Sequence, residues 1–303
     1  MYDLIVVGAG PAGLTATIYA IRKRINVLMV SKDLGGKTNY RLSLPGVEED
    51  FYQVIRGLEV VNKFKTELEY LNFARHMEPV EKVTKGNGGF KVRTKGGGVL
   101  ETKAVVIATG AKQKLMRVPG EKEFMMRGLC YSALSYAPLF IDKTATVIGE
   151  GDLALRSAGE LATVAKHVNL IGPSGEILAT DLGKKLLREE NVNVLEGYRV
   201  VKVLGSEFAE RLVVKSPSGE ETEVAADGAF VELDLAPNSN MVADLVDLDD
   251  QGRIIIDCSN RTSVPGIFAA GDVTTTFAEQ VLISVGEGAK AALSAYEYLL
   301  PVL

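Results

Sequence analysis

The feature that most limits this chain lies at its start. Leu4-Ile5-Val6-Val7 is a continuous apolar run that meets Gly8-Ala9-Gly10-Pro11-Ala12-Gly13 with no spacer. A strand covered on both faces reads this way, because side chains of either parity must be apolar. Helix formers follow from Leu14 to Arg24, and Asn26-Val27-Leu28-Met29-Val30 returns as a second strand. The spacing predicts a βαβ unit with a phosphate-binding turn between strand and helix. Gly8 permits the tight turn, Gly10 lets a pyrophosphate approach the backbone, and Gly13 lets helix and strand pack closely. Free N–H groups at the helix start then face the phosphate charge. The plainer alternative is a glycine turn with a structural purpose only.

The pattern recurs. Thr146-Val147-Ile148 leads into Gly149-Glu150-Gly151-Asp152-Leu153-Ala154, a helical stretch runs to about Ala165, and Val168-Asn169-Leu170-Ile171 forms the next strand. Two such units in 303 residues predict an α/β protein of two Rossmann-like dinucleotide-binding domains built on parallel sheets. Between them, Phe90-Lys91-Val92-Arg93 and Val99-Leu100-Glu101 alternate as strands of an antiparallel meander do. Ala104 to Gly110 and Gly266 to Asp272 each read as a buried strand ending in small residues, and a last helix is expected over about Val281 to Leu299.

Composition narrows the chemistry. The chain has two cysteines, two histidines and no tryptophan, so a four-ligand Cys/His zinc site would need carboxylates, and no metal site is expected. Cys130 and Cys258 lie far apart, so there is neither a disulfide framework nor a Cys-x-x-Cys. His76 and His167 have no evident triad partner for Ser132 or Ser135. Net charge is −5, which implies no nucleic-acid affinity, but it is uneven. Residues 1–120 hold 19 Lys+Arg against 11 Asp+Glu, and the remainder is strongly acidic. A basic docking face for an acidic partner is one reading, and ordinary drift of surface charge is the other. The apolar opening is too short for a signal peptide or a membrane span, so a cytoplasmic protein is expected.

These motifs, in order and spacing, resemble the low-molecular-weight thioredoxin reductase family of FAD/pyridine-nucleotide flavoproteins. The resemblance rests on Gly8 to Gly13, Gly35-Gly36, Pro45-Gly46, Ala108-Thr109-Gly110-Ala111, Gly149 to Ala154 and Ala269-Ala270-Gly271-Asp272-Val273. It implies an FAD domain split in sequence, residues 1–118 plus 241–303, with an NAD(P)-binding-like domain, 119–240, inserted in it. It also implies a homodimer. On the family pattern, Gly8, Gly10, Pro11, Ala12 and Gly13 carry the FAD pyrophosphate. Asp272, after Gly271, bonds the ribityl chain, Ala108 to Ala111 cover the dinucleotide, and the Val80 amide meets the adenine. Glu279-Gln280-Val281 opens a helix whose positive end lies near the flavin. Lys37 replaces the glutamine usual after Gly35-Gly36, and Ser43 replaces the asparagine before Pro-Gly. Gly149, Gly151 and Ala154 are the matching NAD(P) positions.

The redox half departs from the family. Its Cys-x-x-Cys-Asp stretch is here Ser132-Ala133-Leu134-Ser135-Tyr136. Disulfide exchange needs an attacking thiolate and a resolving thiol, and a serine hydroxyl is neither. Cys130 reads as a small buried hydrophobe and Cys258 as structural. The family's arginine grip on the NADPH 2′-phosphate is missing, since Ile171 is followed by Gly172-Pro173-Ser174-Gly175-Glu176. Glu150 and Asp234 would add negative charge near a diphosphate, so NAD(P)H use is left open. The leading expectation is an FAD-dependent oxidoreductase that passes electrons without a dithiol, with a ferredoxin- or flavodoxin-type partner. The alternatives are an FAD-holding homologue without catalysis and an NAD(P)H-dependent flavin reductase. Tyr40, Tyr131 and Tyr136 read either as aromatic cover for the flavin or as ordinary packing.

Overall fold

The computed structural model describes residues 1–303 except 41, 46, 48–56 and 132–135. The chain divides into two compact units, residues 1–39, 56–112 and 236–303 in the first and 40–55 and 113–235 in the second. The crossings differ from 118/119 and 240/241 by a few residues, and the stretch around Leu42 and Leu44 joins the second unit, where both side chains enter its core.

In the first unit the opening strand, Tyr2–Val7, is central to a seven-stranded sheet. It pairs in parallel with Val27–Val30 on one side and Val99–Ile107 on the other. Arg75–His76 and Ile267–Ala269 extend the parallel part. The long strand Val99–Ile107 joins the parallel and antiparallel parts of this one sheet, because its first half pairs antiparallel with Gly89–Thr94, which pairs with Val80–Gly86. The apolar run is thereby explained. Leu4 and Val6 face a helical layer with Ala12, Ala16, Ala20, Ala291, Ala292 and Ala295, while Ile5 and Val7 face Val83, Val92, Val242 and Ile254. Both parities are buried, so both are apolar.

Two helices make that helical layer, Pro11–Arg22 and Val281–Leu299. The first opens three residues earlier than its helix formers suggest, because Pro11 takes the first helical position, where its missing N–H costs nothing. The alanine-lined contact is close: a Cβ on Gly288 would sit 2.1 Å from the Ala12 carbonyl oxygen.

The second unit repeats the plan. Five parallel strands run in the order Val192–Leu195, His167–Ile171, Thr144–Ile148, Gly228–Val231 and Leu129–Cys130. Ala145 and Val147 pack against Ala154, Leu155 and Ala158 of the helix Asp152–Ala162. Ile148 and Ile171 pack on the other face against Val200, Leu212 and Val214 of a three-stranded antiparallel meander. The three-layer architecture expected from the sequence is present in both units.

Candidate functional site

The three glycines of the first loop are held by different causes. Gly8 has φ +105°, and a Cβ there would lie 2.3 Å from the Ala108 carbonyl oxygen. A Cβ on Gly13 would lie 2.0 Å from the Gly8 carbonyl oxygen. The chain's own backbone therefore excludes a side chain at both. Gly10 has an ordinary φ of −73° and nothing within 4 Å of its Cβ position. Nothing among the described residues requires glycine there, and its bare face is open to an outside group. The helix that begins at Pro11 has no side-chain cap. Its first amides, a concentration of positive partial charge, are left for that group. An open Cβ position, an uncapped helix and a tight turn together fit a dinucleotide pyrophosphate.

Other predicted residues gather at this loop. The Gly35 N–H donates to the Ala9 carbonyl at 2.7 Å, and Gly36 approaches Gly10 so closely that its Cβ would be 3.3 Å from the Gly10 Cα. Asp33 Oδ1 accepts the Gly36 N–H at 3.1 Å. Sequence reasoning passed over Asp33, although an acid about 20 positions after the glycine motif is a known signal. Lys37 Nζ lies 2.5 Å from Asp272 Oδ2, and the Asp272 carboxylate is nearly buried. The Ser284 hydroxyl reaches Asp272 Oδ1 only at 3.4 Å. Gly271, at φ +77°, donates its N–H to Glu287 Oε2 at 2.7 Å, a second carboxylate that no sequence motif marked.

Ala108 to Ala111 leave the sheet at the end of Val99–Ile107. The Thr109 hydroxyl donates to the Asn238 carbonyl at 2.7 Å, and the Asn238 side-chain amide donates back to the Thr109 carbonyl at 2.9 Å. Gly110 accepts from the Asn238 N–H. Val80 begins a meander strand opposite Thr94. The last helix starts at Val281 with Gln280 as its N-cap, after Glu279, and again no side chain caps it. Ser43 belongs to the second unit, where its N–H donates to the Met126 carbonyl and its carbonyl accepts from the Gly128 N–H.

The second loop copies the first. A Cβ on Gly149 would lie 2.4 Å from the Glu232 carbonyl oxygen and 2.8 Å from the Ala154 Cβ, whereas Gly151 has nothing within 4 Å. Gly151 is the N-cap of Asp152–Ala162, and no side chain caps that helix either. The charges expected to repel a diphosphate are spent differently. Glu150 is exposed, and Asp234, largely in solvent, pairs with Lys114 at 3.1 Å. No cation stands in the turn after Ile171, where Ser174 caps a short helix by accepting from the Ile177 N–H. Behind the loop, the buried Glu232 carboxylate accepts from the buried Ser157 hydroxyl at 3.1 Å, a pairing the sequence did not reveal.

Ser132 and Ser135, where the resemblance would place the two cysteines, lie outside the described residues. Their neighbours are core. Cys130 and Tyr136 are buried beside Phe140 and Phe230, and Tyr131 is buried with its hydroxyl donating to Glu121 Oε1 at 3.2 Å. Glu121, itself buried, also accepts the Met116 and Arg117 amides at 2.7 and 2.6 Å. Burial first, and the Glu121 carboxylate second, push the Tyr131 phenol well above its usual range. Tyr131 and Tyr136 are thus packing residues of the second unit, while Tyr40 is exposed. Neither cysteine is in a disulfide, and Cys258 is exposed rather than part of a core.

Comparison with known proteins agrees with this construction. The family model described as pyridine nucleotide-disulphide oxidoreductase matches residues 2–291. An alkyl hydroperoxide reductase component of Staphylococcus aureus strain MSSA476 is 35% identical over 312 residues, and the same component of Pseudomonas putida is 37% identical over 307. Each match covers 99% of this chain but only 59% and 58% of the relative, so the chain spans less than two thirds of those proteins. Among solved structures, thioredoxin reductase from Streptococcus pyogenes MGAS5005 is 31% identical with a TM-score of 0.87, over 99% of both chains.

Proposed function

The chain belongs to the pyridine nucleotide-disulphide oxidoreductase family, and from that premise we propose that it is an FAD-dependent oxidoreductase that moves electrons through flavin without a redox-active dithiol. The first loop carries the reading. Gly8 and Gly13 are demanded by packing, but Gly10 is bare, with none of the described residues opposite it. The absence of any Cys-x-x-Cys in the sequence supplies the second half.

When bound, FAD supplies a carrier that takes up a hydride's two electrons and passes them on. The chain's part is to bind and to bias. The amides at the start of Pro11–Arg22 meet the pyrophosphate, and Asp272 offers a carboxylate to the cofactor's polyol. The uncapped start of Val281–Leu299 favours negative charge close to it. The second loop, with Gly151 open in the same manner as Gly10, supports a reduced nicotinamide nucleotide as electron source. With no Cys-x-x-Cys dithiol to relay them, the electrons would leave to a carrier that reaches the flavin directly. The basic excess of residues 1–120 favours an acidic carrier protein. We assign the working form as a homodimer, which sedimentation of the purified protein checks.

The test is anaerobic mixing of the purified protein with NADH or NADPH, followed by an acidic one-electron carrier protein. A yellow protein whose flavin band bleaches and is restored by the carrier bears the reading out. A protein that holds no FAD overturns it. A flavin that no nicotinamide and no carrier can reduce or oxidise favours a binding role without catalysis.

A further inference from the structure

The turn Gly35-Gly36-Lys37 touches the phosphate loop on one side and Asp272 on the other. Gly35 bonds Ala9, Gly36 lies against Gly10, and Lys37 Nζ reaches Asp272 Oδ2 at 2.5 Å. The two oxygens of Asp272 are therefore unequal. Oδ2 is held by an ammonium, while among the described residues Oδ1 has only the long 3.4 Å contact with Ser284. A carboxylate has about four acceptor sites, so holding one oxygen does not exhaust it. The Asp272 side chain is only 11% exposed and Lys37 is 37% exposed, so the pair is shielded on one side and reachable on the other.

We propose that Lys37 is a positioning residue for the cofactor: it clamps Asp272 by Oδ2 so that Oδ1 faces the polyol, and it adds a cation beside a dinucleotide that carries two phosphate charges. The inference rests on FAD binding at the first loop. It assigns Lys37 an electrostatic share in holding FAD. Fixing the carboxylate in advance removes ordering cost from binding. The ammonium, on the turn that packs against Gly10, attracts the pyrophosphate, and salt screens that attraction.

The test compares the unaltered chain with Lys37→Gln and Lys37→Arg after removal of the cofactor. FAD binding is read by quenching of flavin fluorescence across a range of salt concentration. Lys37→Gln is expected to bind FAD about tenfold more weakly and with a flatter dependence on salt, and Lys37→Arg is expected to restore most of both. Thermal melting of the cofactor-free proteins separates a loss of affinity from a loss of folding, because Lys37→Gln leaves the nearly buried Asp272 carboxylate without its ammonium. Equal affinity and equal salt dependence in the unaltered chain and Lys37→Gln overturns the proposal. So does Lys37→Arg behaving like Lys37→Gln, since shape rather than charge would then matter. Failure of FAD binding itself shows differently, as an unaltered chain that quenches no flavin at all.

Discussion

Gly8 and Gly10, two residues apart, answer different demands with the same side chain. Gly8 is required by its own backbone and by Ala108, and Gly10 by nothing among the described residues. Gly8→Ala should destabilise the cofactor-free chain by at least about 2 kcal/mol, from left-handed strain and a backbone clash. Gly10→Ala should cost no more than about 1 kcal/mol, the scale of an N-cap change, yet lose about tenfold or more in FAD affinity. Urea unfolding and flavin fluorescence measure the two effects separately. Tyr131 gives a second residue-scale prediction. Its phenol is raised by burial and by Glu121, so the folded state holds that proton more tightly than the unfolded state does. Its contribution to stability is complete below the ordinary phenol value of ~10 and is lost as pH rises above it. Unfolding in urea at neutral and at alkaline pH should show this loss, and Tyr131→Phe should reduce it.

At the scale of elements, the sequence was most readable where one physical demand governs a stretch. The apolar run before Gly8 and the alternation at Phe90 to Arg93 declared strand type, and the last helix spans Val281–Leu299 as expected. What stayed hidden depended on distant partners. Nothing local to Glu287, Glu232 or Glu121 shows that each accepts from Gly271, Ser157 or Tyr131. Ser43 was assigned by motif position; its neighbours Leu42 and Leu44 enter the second unit's core while Ser43 itself stays exposed. The helix pair carries a prediction of its own. Gly288→Val should push the last helix off Ala12 and lower stability by about 2–3 kcal/mol, seen as an earlier thermal transition. The turn after Ile171 carries another. It holds no cation in Gly172 to Glu176, so NADPH should gain no advantage over NADH, and their kcat/KM values compare this directly.

For the whole molecule, the two units repeat one design: a buried parallel strand, a glycine turn with one open Cβ position, and an uncapped helix. That repetition was legible from spacing, because close backbone packing leaves glycine as its trace. The chemistry we propose for this chain rests on a substitution, serine at 132 and 135 where the resemblance places cysteines. Thioredoxin-type disulfides should accordingly not be reduced at a rate above background. The most direct test of the central claim is an anaerobic reductive titration of the flavin-loaded chain. Flavin and a dithiol–disulfide couple are each two-electron carriers, so the electron count separates them. One two-electron equivalent per flavin, with full bleaching and no further uptake, is the predicted result. Uptake of a second two-electron equivalent per chain would contradict the account.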